Sequence, residues 1–317
     1  MSLKARLRPT YKAIQTYRST LGASKKPILT VYGNCQSGAL ATMLRNSPTF
    51  SAKFRVAWVS GAHEITHGEL PAFRRLLSRT SVLVTQNIRE NYREMPLGTD
   101  DVREALPQGA GVLTFSSMYF RGLHPYLAYV HATGELGTPA PLTEGYHDLR
   151  FIGAASRGLQ GEAALDWVSA FSGRKGWICD TASKSLAELR RREEDIDVKI
   201  SDGIEGEGAF WTLNHPSNSV LSLAAEQIHD AFDLPYSNWN GHELLGSTVA
   251  PVGRDVREAL DLPHLKGDPV WTVEGKAVAE AEILAAHLDF YREHPEVLDC
   301  AVQEHAAALI ASGLLVE

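Results

Sequence analysis

Cysteine is scarce in this chain, with three residues among 317, at positions 35, 179 and 300. An odd, scattered set without paired spacing excludes a disulfide framework and favours a reducing compartment. Long apolar runs are also missing, and no stretch approaches the roughly 20 apolar residues that span a bilayer. There is no excess of positive charge. The 31 Lys and Arg against 38 Asp and Glu leave a net charge of −7, so nothing draws the whole chain to nucleic acid or an anionic membrane. Any anionic ligand must be held by a local basic cluster. No Cys-x-x-Cys spacing occurs, and no dedicated metal site is read from the twelve histidines. Residues 1–26 are basic but lack an apolar core of signal-peptide length, which predicts a cytoplasmic protein.

What is present is an ordinary globular composition, 44% hydrophobic and 22% charged. In the first 150 residues strand patterns at 28–32, 54–59, 82–85 and 112–115 alternate with helical patterns at 37–45 and 69–78. Such alternation implies βαβ units and an α/β fold with a parallel sheet. The second half has helical periods at 163–171, 181–194, 217–232, 275–292 and 295–315, interrupted by loop-rich stretches at 201–208 and 234–268. No clean linker appears. The expectation is therefore an N-terminal extension, 1–26, and a single α/β domain with helical additions over 27–317.

The most informative segment is Tyr32-Gly33-Asn34-Cys35-Gln36, between the apolar run at 27–31 and the helical pattern that follows. A strand that turns at a glycine into a helix puts these residues at the carboxyl edge of the sheet, where open α/β sheets bind ligands. Helix-start N–H groups have no intrahelical partner and carry partial positive charge, so a thiol there ionises more easily and an oxyanion finds donors. The competing reading of Cys35 is a small buried hydrophobe.

Three more polar segments follow strands or precede a helix: Thr85-Gln86-Asn87-Ile88-Arg89, residues 116–125, and Leu213-Asn214-His215-Pro216-Ser217-Asn218. His215 is the strongest base candidate, placed at a helix entry where Pro216 suits the first turn; the alternative is that it merely helps cap the helix. His124, also followed by proline, is the second candidate. Residues 87–93 read as helical, which puts Arg89 and Arg93 on one face, suited to a phosphate or pyrophosphate. Pairing of those arginines with Glu90 and Glu94 is the alternative. The glycine-rich stretch 203–208 carries acids that repel phosphate and reads as a mobile loop near the pocket mouth.

With these residues in view, the chain resembles the capsular-polysaccharide biosynthesis family named after WcbI. Its members carry a Gly-Asn-Cys-Gln turn after the first strand and a later Asn-His-Pro motif. Here these are Gly33 to Gln36 and Asn214 to Pro216, with Gln86-Asn87 and Tyr119-Phe120…His124-Pro125 at matching places between. The resemblance covers roughly 27–230 and implies a coenzyme A-binding acetyltransferase that acts on a sugar of a surface polysaccharide. It also implies a core distantly like the SGNH hydrolases and flavodoxins, with a largely helical C-terminal half. In the SGNH superfamily the first turn bears a nucleophile and a late histidine is the base. Cys35 here replaces the usual serine, and Thr212 stands three residues before His215 where that superfamily has an orienting aspartate.

The implied catalytic set is Cys35, His215 and Asn87, the last an oxyanion donor together with Gly61. The implied CoA contacts are Gly33, Asn34, Gln36, Gln86, Arg89, Arg93, Arg121 and His124, with acyl-CoA and a sugar or polysaccharide precursor as partners. Two other functions stay open: a non-catalytic CoA or sugar-phosphate binding module, and an SGNH-like esterase or thioesterase. The acceptor sugar, the acyl group, and whether the chain forms a homo-oligomer are not readable from the residues.

Overall fold

The structure, a computed structural model, describes residues 25–132, 137–204, 208–263 and 270–315. They divide into two compact units. The first contains the described residues of 25–118, 189–204 and 218–244. The second contains those of 119–188, 208–217 and 245–315.

The first unit is built on four parallel strands: β1 (Ile28–Tyr32), β2 (Arg55–Ala57), β3 (Thr80–Gln86) and β4 (Gly111–Phe115), in the order β2-β1-β3-β4. Every residue of β1 is buried, as expected of a central strand rich in β-branched and aromatic residues with both faces covered. A parallel bridge between Phe115 and Val198 continues the sheet beyond β4. The resulting order is the flavodoxin-like one, whose topological switch point lies between β1 and β3. Between the strands run helices α1 (Cys35–Asn46), α2 (Pro48–Lys53), α3 (Leu70–Leu77) and α4 (Thr99–Glu104). The helix Asn218–Asp230 packs on α1. Tyr32, Leu83, Phe73, Leu76, Leu97 and Val102 form the core on one side of this sheet.

The second unit holds a two-stranded sheet, β5 (Leu127–Ala128) with β6 (His147–Asp148), and a three-stranded antiparallel sheet, β7 (Thr248–Val249), β8 (Val270–Val273) and β9 (Lys276–Ala279). Its helices include Leu149–Ser156, Gly161–Ala170, Glu280–Glu293, Pro295–Glu304 and Ala306–Ser312. Tyr146, Phe151, Leu213, Trp271 and Ile283 share one of its apolar clusters. The parallel strands fall where the alternation predicts, with β2 shorter than 54–59, and the 181–194 pattern belongs to a longer helix, Lys175–Arg192.

Three expectations for the second half need correction. The 275–292 pattern begins as strand β9, because Glu274 (φ 49°) and Gly275 (φ 75°) form a two-residue hairpin turn joining it to β8. The 295–315 pattern breaks into two helices at His305. The loop-rich stretch 234–268 contains β7 and the helix Arg254–Ala259, while 264–268 lies outside the described residues, as does 205–207 of the glycine-rich stretch. Among the described residues no helix is long and apolar enough to cross a membrane.

Candidate functional site

In the first unit, the loops that leave all four parallel strands meet at the Gly33-Asn34-Cys35-Gln36 turn. Asn34 caps α1, its Oδ1 accepting from the Gln36 N–H at 2.9 Å. Its own N–H donates to Gln86 Oε1 at 2.8 Å, at the end of β3. That approach requires Gly33, since a Cβ there would lie 2.4 Å from Gln86 Oε1. The Gly33 carbonyl accepts from the Ala62 N–H at 2.7 Å, which ties in the loop after β2.

The loop after β4 is held by Gln36. Its Nε2 donates to the Met118 carbonyl at 2.6 Å and its Oε1 accepts from the Met118 N–H at 3.0 Å. Gln86 Nε2 closes the network by donating to Gln36 Oε1 at 2.8 Å and to the Ser116 carbonyl at 3.2 Å. Gln36 and Gln86 are both buried. Their amides thus fix the turn from inside, a role the motif pattern alone does not disclose. Cys35 is the first residue of α1 and is half-buried at this edge.

Asn87 follows β3 and is exposed. The backbone on either side of it is held by Thr99, whose Oγ1 donates to the Gln86 carbonyl at 3.0 Å and accepts from the Ile88 N–H at 2.7 Å. Residues 87–93 form no α-helix, contrary to the sequence reading, and only a 3-10 turn spans Tyr92–Glu94. Asn91, Arg93 and Glu94 have φ of 51°, 56° and 59°, so an i, i+4 face does not exist. Tertiary bonds override the local pattern: Arg93 Nη1 donates to the carbonyls of His63 (2.7 Å) and Ile65 (3.0 Å). Arg89 is exposed, its guanidinium 5.9 Å over the Tyr92 ring.

In the second unit, His215 lies three residues before the helix Asn218–Asp230 and not at its first turn, which corrects the helix-entry expectation. The segment is pinned instead by a backbone ladder, with a bridge between Phe210 and Pro216 and the Trp211 N–H donating to the His215 carbonyl at 2.8 Å. Asn214 is held by two tyrosines. Its Oδ1 accepts from the hydroxyls of Tyr146 (2.5 Å) and Tyr129 (3.3 Å), and Thr212 Oγ1 donates to Tyr146 at 2.9 Å. The Tyr146 ring stands edge-on to the imidazole at 6.0 Å.

His215 is 8% exposed, and its Nδ1 is buried without a hydrogen-bond partner among the described residues. Glu144 Oε2 lies 4.0 Å from that nitrogen. Burial pushes the His215 pKa below its ordinary value, and the Glu144 charge pulls in the opposite direction. Burial thus favours the neutral ring. Tyr146, Tyr129 and Glu144 carry no motif signal, because they reach the Asn-His-Pro segment only through tertiary folding.

His124 is buried, with Nε2 donating to the Phe210 carbonyl at 3.0 Å. Burial lowers its pKa to about 4, and it supports the His215 segment rather than facing solvent. Arg121 is half-buried and donates through Nη2 to the Pro125 carbonyl at 2.9 Å.

The fold and these residues define an α/β protein whose parallel sheet carries a rigid, cysteine-bearing helix start at its switch point. A family model for the polysaccharide biosynthesis enzyme WcbI matches residues 28–237, most of the chain, and the protein belongs to that family of polysaccharide biosynthesis enzymes. The structure is also similar to a solved one, described as WcbI, a novel polysaccharide biosynthesis enzyme, in the native form without a disulfide bond between CoA and one of its cysteines. The likeness has a TM-score of 0.77 at 20% identity, covering 92% of this chain and 100% of that one, and it establishes the shared fold. No curated protein matches.

Proposed function

We propose that this protein is an acyl-CoA-dependent O-acetyltransferase that acts on a sugar of a surface polysaccharide. The observation that carries the reading is Cys35 at the first position of α1, at the β1/β3 switch point, in a turn tied to the loops after the other three strands. The similar solved structure, named in connection with CoA and a cysteine, supports assigning Cys35 to meet the CoA thiol. Asn87 is the donor assigned to the developing oxyanion, and exposed Arg89 is the residue assigned to a CoA phosphate.

His215 is assigned as general base. It takes the proton of the acceptor hydroxyl while the sugar oxygen forms a bond to the thioester carbonyl carbon. The carbon–sulfur bond then breaks, and the same proton passes to the leaving thiolate. An acyl group held first on Cys35 is a second route, in which the sugar attacks a protein thioester.

Turnover of acetyl-CoA with and without a panel of sugar acceptors tests the reading. Acceptor-dependent release of CoA is the expected result; its loss in Cys35→Ala would select the route through a protein thioester, and its survival the direct one. Release without acceptor would mean a thioesterase, and CoA binding without turnover would mean a non-catalytic module.

A further inference from the structure

We propose that Glu144 is the positioning residue that orients His215 and stabilises its imidazolium, in the place where the related hydrolases use an aspartate three residues before the histidine. The inference rests on the reading of His215 as a base. Thr212 occupies the aspartate's place in the chain and is engaged with the Tyr146 hydroxyl, so the motif itself supplies no carboxylate. A buried ring nitrogen without a hydrogen-bond partner is costly and calls for an explanation. The Tyr146 ring stands edge-on to the His215 ring, and the Glu144 carboxylate lies 4.0 Å from its Nδ1.

Glu144 is held for this task. Its Oε1 accepts from Ser247 Oγ at 3.0 Å, which leaves Oε2 facing Nδ1 at 4.0 Å. Its backbone is left-handed at φ 53°, between Leu142 at 62° and Gly145 at 94°. Such conformations in non-glycine residues cost free energy and persist only where surrounding bonds enforce them. Here those bonds are Thr143 Oγ1 donating to the Tyr146 carbonyl at 2.5 Å and His287 Nε2 donating to the Pro141 carbonyl at 3.0 Å.

The resting ring carries its proton on Nδ1, which leaves the Nε2 lone pair to accept. When Nε2 takes the acceptor's proton, the ring becomes cationic and Nδ1–H closes on Oε2. The Nε2 proton leaves with the CoA thiolate.

The test is an NMR titration of the labelled His215 imidazole in wild type, Glu144→Gln, Glu144→Asp and Ser247→Ala, alongside acyl-transfer kinetics. Gln suits the left-handed backbone as well as Glu does, so the fold is kept, and Ser247→Ala reports on the same carboxylate without altering it. Glu144→Gln should move the His215 pKa down and lower kcat by about 10- to 100-fold with KM little changed. Glu144→Asp should restore part of both. A His215 pKa and tautomer that Glu144→Gln leaves unmoved would overturn the proposal. If the pKa moves while the wild type transfers no acyl group, the base reading of His215 fails and the Glu144 contact stands.

Discussion

The two units treat buried polar groups in opposite ways. In the first, Gln36 and Gln86 are as buried as core leucines, yet their amides bond to each other and to the backbone of the Asn34, Ser116 and Met118 segments. In the second, His215 is nearly as buried and keeps an unpartnered Nδ1 beside a carboxylate at 4.0 Å. A satisfied network makes a rigid frame, since each of its members loses bonds if the turn moves. An orphaned nitrogen adds nothing to stability in the resting state. It gains a partner only when the ring is charged, which is the behaviour of a group kept for proton transfer.

The contrast is broken most sharply at His215. His215→Ala should lower acyl transfer by about 10²–10⁴-fold while the thermal midpoint barely shifts. His215→Asn, which keeps polarity but not basicity, should be as inactive as the alanine variant. Near-full transfer by the Asn variant would falsify the base assignment. Because burial lowers the His215 pKa, activity should persist below the ordinary histidine range and fall only as pH drops through the lowered value.

The next effect in size is acid sensitivity of the second unit. Burial depresses the pKa of His124 to about 4 and of His287 to about 3. The unfolded chain binds these protons first. The stabilisation is therefore complete above the ordinary value of 6.5 and is lost as pH falls toward the folded value. For His124 the whole span corresponds to about 3 kcal/mol at 1.36 kcal/mol per pH unit. His124→Gln keeps a donor for the Phe210 carbonyl without titrating. Urea melts at about pH 7 and about pH 5 should show a smaller acid loss in this variant than in wild type. Equal losses would remove His124 from the account.

Disturbing the satisfied network comes third. Gln86→Ala leaves the Asn34 N–H without its acceptor and removes one of the two donors to Gln36 Oε1, at an expected cost of about 2–4 kcal/mol in denaturant unfolding. Gly33→Ala should cost about 1–3 kcal/mol by displacing the same amide. A change under about 0.5 kcal/mol in both would show that the network is not the frame of the turn.

The smallest effects separate the two arginines. Arg93→Ala removes two bonds to carbonyls and should cost about 1 kcal/mol of stability without touching CoA affinity. Arg89→Ala should leave stability within about 0.5 kcal/mol and weaken CoA binding by about 1–3 kcal/mol, read by calorimetry. Unchanged CoA affinity in Arg89→Ala would exclude it from the phosphate site.

Much of the first unit was legible in the residues alone. The order strand, glycine, Asn cap and helix from Ile28 to Asn46 is written in local preferences, and so are the buried runs of β3 and β4. Cys35 could be placed at the start of α1 for that reason, because a strand end and a helix cap are decided within a few residues of each other. Family membership was legible from the Gly-Asn-Cys-Gln and Asn-His-Pro motifs. Other features depend on partners distant in the chain, and only the tertiary structure decided them. Arg93 looked helical until the carbonyls of His63 and Ile65 claimed its guanidinium. His215 looked like a helix-entry residue until the Phe210–Pro216 bridge set its backbone. The pairing of Gln36 with Gln86 and the approach of Glu144 to His215 have no periodicity to betray them. Local pattern determines which residues turn, cap and extend. Which buried polar groups find partners depends on the whole fold, and that decides which of them are frame and which are left for chemistry.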